Sequence, residues 1–427
     1  MLKLILIFFL LFVSLKVKAQ TKTTILDRDT IFLDFKKDSI MNLLLSLNSY
    51  FEVNSSNGKL LLTAQLPNTC GIYPAVYLID SPSYEVQRVN FKNFPDNLFT
   101  PSDPFTPKDF IYIEQTNLIV WIRDFGIVLT DTNFNYIGFY ISPYIQKSKQ
   151  YTPVYLGSVF NMDSNLFFPL GIIQRNYKKQ KAIFISTPNN PNAVCGVVSL
   201  PEIINSNKKR INFSKIINDK NNFPYSADSI DRYSRVYFPD NDHRSFWYTD
   251  DFARNVKHYF TFNDSVVSYS LPTTVFMNTS NYHILHKQVY HRYIHSSLIV
   301  DREHKDEVVG QIGHFKLQFL PKSNSLVHVT YLITDNLKLI SYLDSQNNKI
   351  NIKNTLNPKE RIYQIIDYLT VENNLKIASQ LIIPEEDNLQ IFDIMPNQIS
   401  GFKQIFDGEF NRPAIVKWVI DNDINSH

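Results

Sequence analysis

The feature that most constrains the fold is a strand, turn, strand unit that recurs along the chain. Val128 to Tyr140 (VLTDTNFNYIGFY) reads as an aliphatic strand, a polar turn that starts at Asp131, and a second strand. Tyr331 to Leu343 (YLITDNLKLISYL) repeats it almost position for position. Weaker copies centre on Asp80 (Val76 to Val89), Asn189 (Ala182 to Ser199), Asn263 (His258 to Tyr269) and Asp393 (Leu389 to Phe402). Ahead of most of these hairpins lies a second pair of strand-like runs. Tyr50 to Val53 and Lys59 to Gln65 flank Asn57-Gly58, a strong tight-turn dipeptide. Phe110 to Gln115 is followed by Leu118 to Ile122, Val154 to Phe160 by Leu166 to Ile172, and Arg235 to Phe238 by Ser245 to Tyr248.

Each unit is therefore a four-stranded meander. One meander cannot bury both of its faces, so neighbours must stack, and repeated sheets of this size close most readily into a radial ring. The expectation is an all-β, six-bladed β-propeller of four-stranded antiparallel blades, with seven blades as the alternative count. Thr24 to Phe35 and Pro413 to Ile420 are the candidate ring-closing strands. One segment admits two readings. Asn357-Pro358 followed by Ile362, Ile365, Ile366 and Leu369 has the cap, first-turn proline and spacing of a helix. A strand over Arg361 to Leu369 is preferred because the last blade needs it.

Composition supports many short strands. The chain has 24 Tyr and 32 Phe, and its Val, Ile and Leu come in alternating runs punctuated by Asn and Asp. Glycine numbers only 11 of 427 residues, where average usage of about 7% would give nearly three times as many. Dinucleotide and phosphate loops need glycine for close backbone approach, and neither Gly-x-Gly-x-x-Gly nor a Walker-type run occurs. Nucleotide-binding α/β folds are thereby disfavoured. Turns fall to Asn and Asp, which tolerate left-handed backbone better than other non-glycine residues.

In this organisation the chain resembles the secreted six-bladed β-propeller proteins of Gram-negative gut and oral bacteria, specifically their uncharacterised members with a domain of unknown function. There a blade ends in an aliphatic strand, Asp, a turn, and a strand containing Ile-Gly. Val128 to Tyr140 carries that pattern through Ile137-Gly138, and Tyr331 to Leu343 carries it with Ser341 in place of the glycine. The resemblance spans nearly all of the mature chain and implies the fold but no activity. Propellers host binding proteins, scaffolds, lyases and hydrolases alike.

The N-terminus reads as an export signal: Lys3, an apolar run from Leu4 to Val13, then Val17-Lys18-Ala19 before Gln20. The run is too short for a permanent membrane helix, which needs about 20 apolar residues. Cleavage after Ala19 is expected, so that residues 1–19 are a signal peptide and 20–427 a single propeller domain with no transmembrane segment. Gln20 stands where a lipoprotein needs cysteine, so the expected destination is the periplasm or the extracellular space without a lipid anchor. An end in Ala19-Gln20 also looks like that group's signals. Removing Lys3, Lys16 and Lys18 takes the 43 basic residues to 40 against 40 acidic ones. A neutral mature chain argues against nucleic acid as a partner. The basic clusters Lys178-Lys179-Gln180-Lys181 and Lys208-Lys209-Arg210 sit among Asn and Ser and read as solvated loops.

The two cysteines, Cys70 and Cys195, either pair as a disulfide in an oxidising compartment or are two small buried residues. No zinc-type cysteine spacing exists, and no cofactor or metal is expected. Histidine is concentrated: His283, His286, His291 and His295 fall within 13 residues, and imidazole suits metal binding and proton transfer. On one extended strand His291, Tyr293 and His295 share a face. There His291 and His295 stand roughly 13 Å apart, too far to share an ion. A second candidate, Tyr233 to Arg254, combines Arg244, Trp247 and Tyr248 with aspartates, a mixture suited to sugars or peptides. Alternation puts Phe246 and Tyr248 on one face and Ser245 and Trp247 on the other, so part of this set belongs to the core. Asp250-Asp251 and Glu385-Glu386-Asp387 are acidic enough for acid–base work, but no catalytic residue is assigned. Gly-x-Ser-x-Gly elbows and Asp-x-Asp-x-Asp-Gly calcium loops are absent.

These readings converge on an exported, monomeric, non-catalytic binding or interaction protein. A glycan or peptide is expected at the propeller funnel, contacted by Arg244, Trp247, Tyr248, His291, Tyr293 and His295. One alternative is an extracellular polysaccharide-cleaving lyase or hydrolase that uses the His283 to His295 segment. The other is a structural partner in a cell-envelope assembly.

Overall fold

A computed structural model describes residues 21–421 apart from internal stretches, the longest being 66–74, 96–106, 186–192, 220–236, 273–281 and 347–359. Strands β1 (Thr21–Lys22) and β2 (Thr24–Phe32) come first, followed by helix α1 (Ser39–Ser46). Asp38 caps that helix, its carboxylate accepting from the Ile40 and Met41 amides. Blade one is β3 (Tyr50–Ser56), β4 (Lys59–Gln65), β5 (Ala75–Asp80) and β6 (Val86–Arg88), paired in that order. Asn57 and Gly58 make its first turn with φ of 44° and 74°, the double left-handed geometry of a type I′ turn. Blade two is β7 (Asp109–Ile113), β8 (Leu118–Arg123), β9 (Gly126–Asp131) and β10 (Tyr136–Ile141). Here the polar turn works as its sequence predicts. The Asp131 carboxylate accepts from the Asn133 and Asn135 amides and from the Asn135 side chain. Gly138 of the Ile-Gly pair leaves room for a ring, since a Cβ there would lie 2.8 Å from the Tyr140 ring.

Blade three is interrupted. After a small hairpin of β11 (Tyr144–Lys147) and β12 (Gln150–Pro153), its strands β13 (Phe160–Met162) and β14 (Asn165–Pro169) pair. A separate hairpin of β15 (Ile172–Tyr177) and β16 (Gln180–Ile185) then leaves the sheet. The blade resumes with β17 (Ala193–Ser199), helix α2 (Leu200–Asn205) and β18 (Lys215–Asn218). Ala182 to Ser199 is thus not one hairpin, because β16 pairs with β15 while β17 pairs with β14 and β18. Blade four is a plain meander of β19 (Tyr237–Pro239), β20 (Ser245–Thr249), β21 (Asn255–Phe260) and β22 (Ser265–Ser270).

Blade five is the widest. It contains β23 (Tyr282–His291), β24 (Ile294–Asp301), β25 (Glu307–Leu320), β26 (Ser325–Thr334), β27 (Arg361–Val371) and β28 (Leu375–Pro384), and β1 extends its outer edge in parallel with Ser379 and Gln380. The 14 residues of β25 serve two partners, β24 along the first half and β26 along the second. The strand reading of Arg361 to Leu369 holds. The Tyr331 to Leu343 hairpin does not: β26 ends at Thr334 and helix α3 (Leu337–Gln346) follows. Asn336 accepts the Leu339 amide at 3.0 Å, and Leu339, Ile340 and Leu343 bury one helical face against Ile312, Leu332, Tyr363 and Ile365. A run such as LKLISYL satisfies both the strand and the helix period, and the cap decides.

Blade six is β29 (Gln390–Met395), β30 (Gln398–Phe406) and β31 (Asn411–Asp421), completed on its outer edge by β2. The register runs from Thr24 opposite Asp421 to Phe32 opposite Ala414, so the two terminal strands close the ring as expected. Six apolar clusters account for the six seams. Leu61 and Val76 meet Phe110 and Trp121 between blades one and two. Ile111 and Val120 meet Leu166 and Val198 at the next seam, and Phe167 and Ile217 meet Phe246 and Tyr259 after it. Trp247 and Val256 face Leu317 and Leu369. Val329 and Ile366 face Ile399 and Trp418, and Phe402 and Ile415 return to Phe51 and Tyr77 of blade one. The structure is a six-bladed β-propeller.

Candidate functional site

The innermost strands of a propeller border its central channel, so whatever they carry faces the one concave region that the fold guarantees. Those strands are β3, β7, β13, β19, the second half of β25, and β29, and successive ones lie side by side around the axis. Each is a sheet edge, with backbone groups that no neighbouring strand pairs. Side chains of the adjacent blade satisfy several of them. Lys316 Nζ donates to the Phe392 carbonyl at 2.5 Å and Gln318 Nε2 to the Ile394 carbonyl at 2.7 Å. The Gln390 side chain accepts from Val53 N at 3.1 Å and donates to the Phe51 carbonyl at 3.0 Å. Asn57 Nδ2 donates to the Tyr112 carbonyl at 2.7 Å, and Ser56 Oγ accepts from Tyr112 N at 3.1 Å. These contacts stitch blades five, six, one and two together near the axis.

The same four strands carry half-buried ionisable groups: Lys316, Asp393, Glu52 and Asp109. Asp109 retains a little exposed surface yet is enclosed by protein on most sides. Burial pushes its carboxyl up to about 7 and the nearby Glu52 charge adds to this, while the Phe110 amide at 2.8 Å opposes it. Burial likewise brings the Lys316 ammonium down to about 8, with Asp393 opposing. The facing sector, from β13 and β19, is aromatic. Phe160, Tyr237 and Phe238 are half-buried there, and Phe160 stacks on Tyr237 at 5.8 Å. The charged groups thus lie on one half of the inner strands, while on the other half the rings pack into the seams on either side of blade four. Among the described residues, one group of three side chains with metal-ligand atoms close together exists, Asp301, Glu303 and His304. It occupies the turn between β24 and β25, away from the inner strands.

The residues expected to bind ligand fall in three places. Arg244 is exposed at the start of β20, its carbonyl accepting from both Thr261 N and Thr261 Oγ1. Trp247 and Tyr248 are each 1% exposed, so they belong to the core. Alternation does separate them, but both faces of blade four are interior. Trp247 donates to Asp240 Oδ1 at 2.9 Å and stacks on His258 at 4.0 Å, while Ser245 and His258 both reach Asp240 Oδ2. On the opposite face Tyr248 donates to Asp219, which also takes the ammonium of buried Lys257. His291 and His295 are not on one strand: β23 and β24 pair antiparallel, with His291 opposite Ile294 and Tyr290 opposite His295. The chain reverses between them, so His291 and His295 do not lie on one continuous strand as expected. Tyr293 and the side chains of His291 and His295 lie outside the described residues, as do the signal segment, Asp250-Asp251, Glu385-Glu386-Asp387 and Cys70. Cys195 is buried on β17.

Sequence reasoning missed the inner-strand charges. Their signal was available, since Glu52, Asp109, Lys316 and Asp393 are charged residues inside apolar strand runs. Only the blade register, however, identifies those runs as innermost.

No protein-family model matches the chain, and no curated protein matches it. Among solved structures it is similar to an exported protein of Bacteroides fragilis, with 10% identity, 95% of this chain and 97% of that one covered, and a TM-score of 0.42. It is also similar to the WD40 domain of Toxoplasma gondii coronin, with 7% identity, coverage of 95% and 88%, and a TM-score of 0.39. Hsv2 of Kluyveromyces lactis matches with 7% identity over 78% of this chain and 97% of that one, at a TM-score of 0.28. Likenesses this distant identify no activity.

Proposed function

We propose that the chain is an exported, non-catalytic binding protein of the periplasm or the extracellular space, whose ligand, a glycan or a peptide, sits at the mouth of the central channel. The observation that carries this reading is the cluster of half-buried ionisable groups on four consecutive inner strands, Lys316, Asp393, Glu52 and Asp109. Sugars and peptides both offer polar or charged groups that such a cluster complements. The export component rests on the Lys3 to Ala19 segment.

The test is a screen of the mature chain, residues 20–427, on glycan and peptide arrays. Hits would be remeasured by calorimetry in Glu52→Gln and Asp109→Asn. Loss of about tenfold in affinity in at least one of these variants, with unchanged thermal unfolding, is the expected result; hits indifferent to both would sink the channel as the site. One observation favours the catalytic alternative. Asp109 and Lys316 titrate near neutrality, where acid–base groups work best. Release of oligosaccharide products that Asp109→Asn abolishes would replace binding by cleavage.

A further inference from the structure

Side-chain bonds between neighbouring inner strands fix their relative heights around the axis. Lys316 and Gln318 reach the Phe392 and Ile394 carbonyls, so the second half of β25 runs parallel to β29 with Lys316 level with Phe392. Gln390 bonds to Phe51 and Val53 of β3, and Ser56 and Asn57 bond to Tyr112 of β7. Counting back along each strand from these contacts brings Glu52, Asp109, Gln390 and Lys316 to nearly one level, the end at which the inner strands begin. That end is the channel mouth that carries the ionisable groups. β25 continues past it, because its residues 307–314 precede Lys316.

The edges of β25 decide what lies over this mouth. β26 occupies one edge from Gln311 to Leu320. The other edge borders the channel along the second half. Along the first half that same edge is taken by β24, from Ser296 opposite Gly313 to Asp301 opposite Glu307, and β23 pairs with the far side of β24. The sheet of blade five is thereby carried two strands further toward the axis. Two strand spacings of about 4.8 Å put β23 roughly 10 Å beyond β25. Inner strands of neighbouring blades approach within 8 Å, and in a ring of six the radius equals the side, so this reach extends to the axis. Because β24 runs antiparallel to β25, Ile294 and its partner His291 lie at the end nearest the level of Lys316, and Asp301 lies at the far end. The far end is anchored. Ile299 packs with Val309, Ile312 and Leu332 and with Leu339, Ile340 and Leu343 of α3. A hairpin rooted in a core of its own keeps its place, as a loop without buried contacts does not.

We propose that the β23–β24 hairpin roofs the channel mouth that carries Glu52, Asp109, Lys316 and Asp393, so that this mouth admits a group the size of one sugar or amino-acid unit and excludes the body of a polymer. As a limit on the ligand it rests on the channel site proposed above, whereas the roof itself follows from strand order. An open mouth would accept a chain laid along the axis. Beneath a roof, only a chain end or a single unit fits between the hairpin and blades six, one and two.

The test measures the roof without a ligand. In residues 20–427 carrying Cys70→Ser and Cys195→Ala, a single thiol is introduced by Glu52→Cys or, as a control at an exposed position between β7 and β8, by Glu114→Cys. Each is reacted with N-ethylmaleimide, which is the size of one unit, and with a maleimide mounted on β-cyclodextrin. Relative to the control, Glu52→Cys should react with the cyclodextrin reagent about tenfold more slowly than with N-ethylmaleimide, because the bulky reagent waits for the hairpin to open. Replacing residues 286–297 by Asn-Gly joins the cross-strand partners Leu285 and Leu298 through a two-residue turn. In that variant the discrimination should vanish. Crosslinking gives an independent reading. Tyr290→Cys and His291→Cys alternate along β23, and at least one of them should be bridged to Asp109→Cys, across the mouth, by a short bismaleimide. The proposal is overturned if the reagents are discriminated no better at Glu52→Cys than at Glu114→Cys, if the shortened hairpin discriminates as the full chain does, or if neither crosslink forms. An array screen without hits would sink the binding site and leave these rates and crosslinks as they are, so the two failures are told apart.

Discussion

Two buried ionisable residues face each other across β26 and β27: His328 and Asp367 are direct partners in the register. Asp367 is 3% exposed, and burial lifts its carboxyl to about 7 although Gln380 Nε2 donates to it at 2.5 Å. Burial lowers the His328 imidazole to about 4. A carboxyl raised on folding binds its proton more tightly in the native state, so stability is lost as pH climbs from about 4 to about 7. Asp367→Asn removes that loss. The variant should exceed wild type by up to about 4 kcal/mol at pH 8 and by much less at pH 5, read from urea unfolding at both values. A gap that stays constant with pH would show that Asp367 does not titrate in this range. The buried Lys257–Asp219 pair is a case of mutual compensation, each charge held against the other inside the protein. Asp219→Ala strands an ammonium in the seam between blades three and four, and should cost about 3–5 kcal/mol. Neither case was legible in the sequence, because a single Asp in YQIIDYL is charged or neutral according to what packs on it from outside its own strand.

Elements were legible wherever a turn residue had a unique task. Asn57-Gly58 and the Asp131 turn announce their hairpins because few residues tolerate positive φ or cap two amides at once. The 331–343 copy misled because it matched in composition while Asn336 caps a helix in place of closing a turn. The 182–199 unit misled for a topological reason, since two hairpins leave the ring around blade three and local pattern does not say which strand joins which. The closing strand makes a prediction at this scale. Without β1 and β2, β31 becomes an unprotected edge, and Trp418 and Ile420 lose part of the sheet that surrounds them. Deleting residues 21–32 should replace a single cooperative thermal transition by an earlier, broadened one. Proteolysis should begin in blade six. An unchanged transition would mean that five and three-quarter blades already hold the ring.

At the level of the whole molecule the blade count could be read from repeats, but the site could not. A propeller's channel is made by residues scattered over its entire length, and here Glu52 and Asp393 come from opposite ends of the chain. Aromatic and histidine density drew attention instead to Trp247 and His291, and density marks core as readily as surface. The channel supplies the last prediction. Below about pH 7 Asp109 is neutral and Lys316 charged, and above about pH 8 the reverse holds, so the rim becomes more negative as pH rises. An anionic ligand seated there should bind more weakly from pH 6 to pH 9 and a cationic one more tightly, while a neutral sugar stays level. Calorimetry across that range reads the sign directly. Asp109→Asn should flatten the lower part of the slope and Lys316→Met the upper part, because each removes one of the two titrations. A charged ligand whose affinity stays level in wild type would place its seat away from these strands.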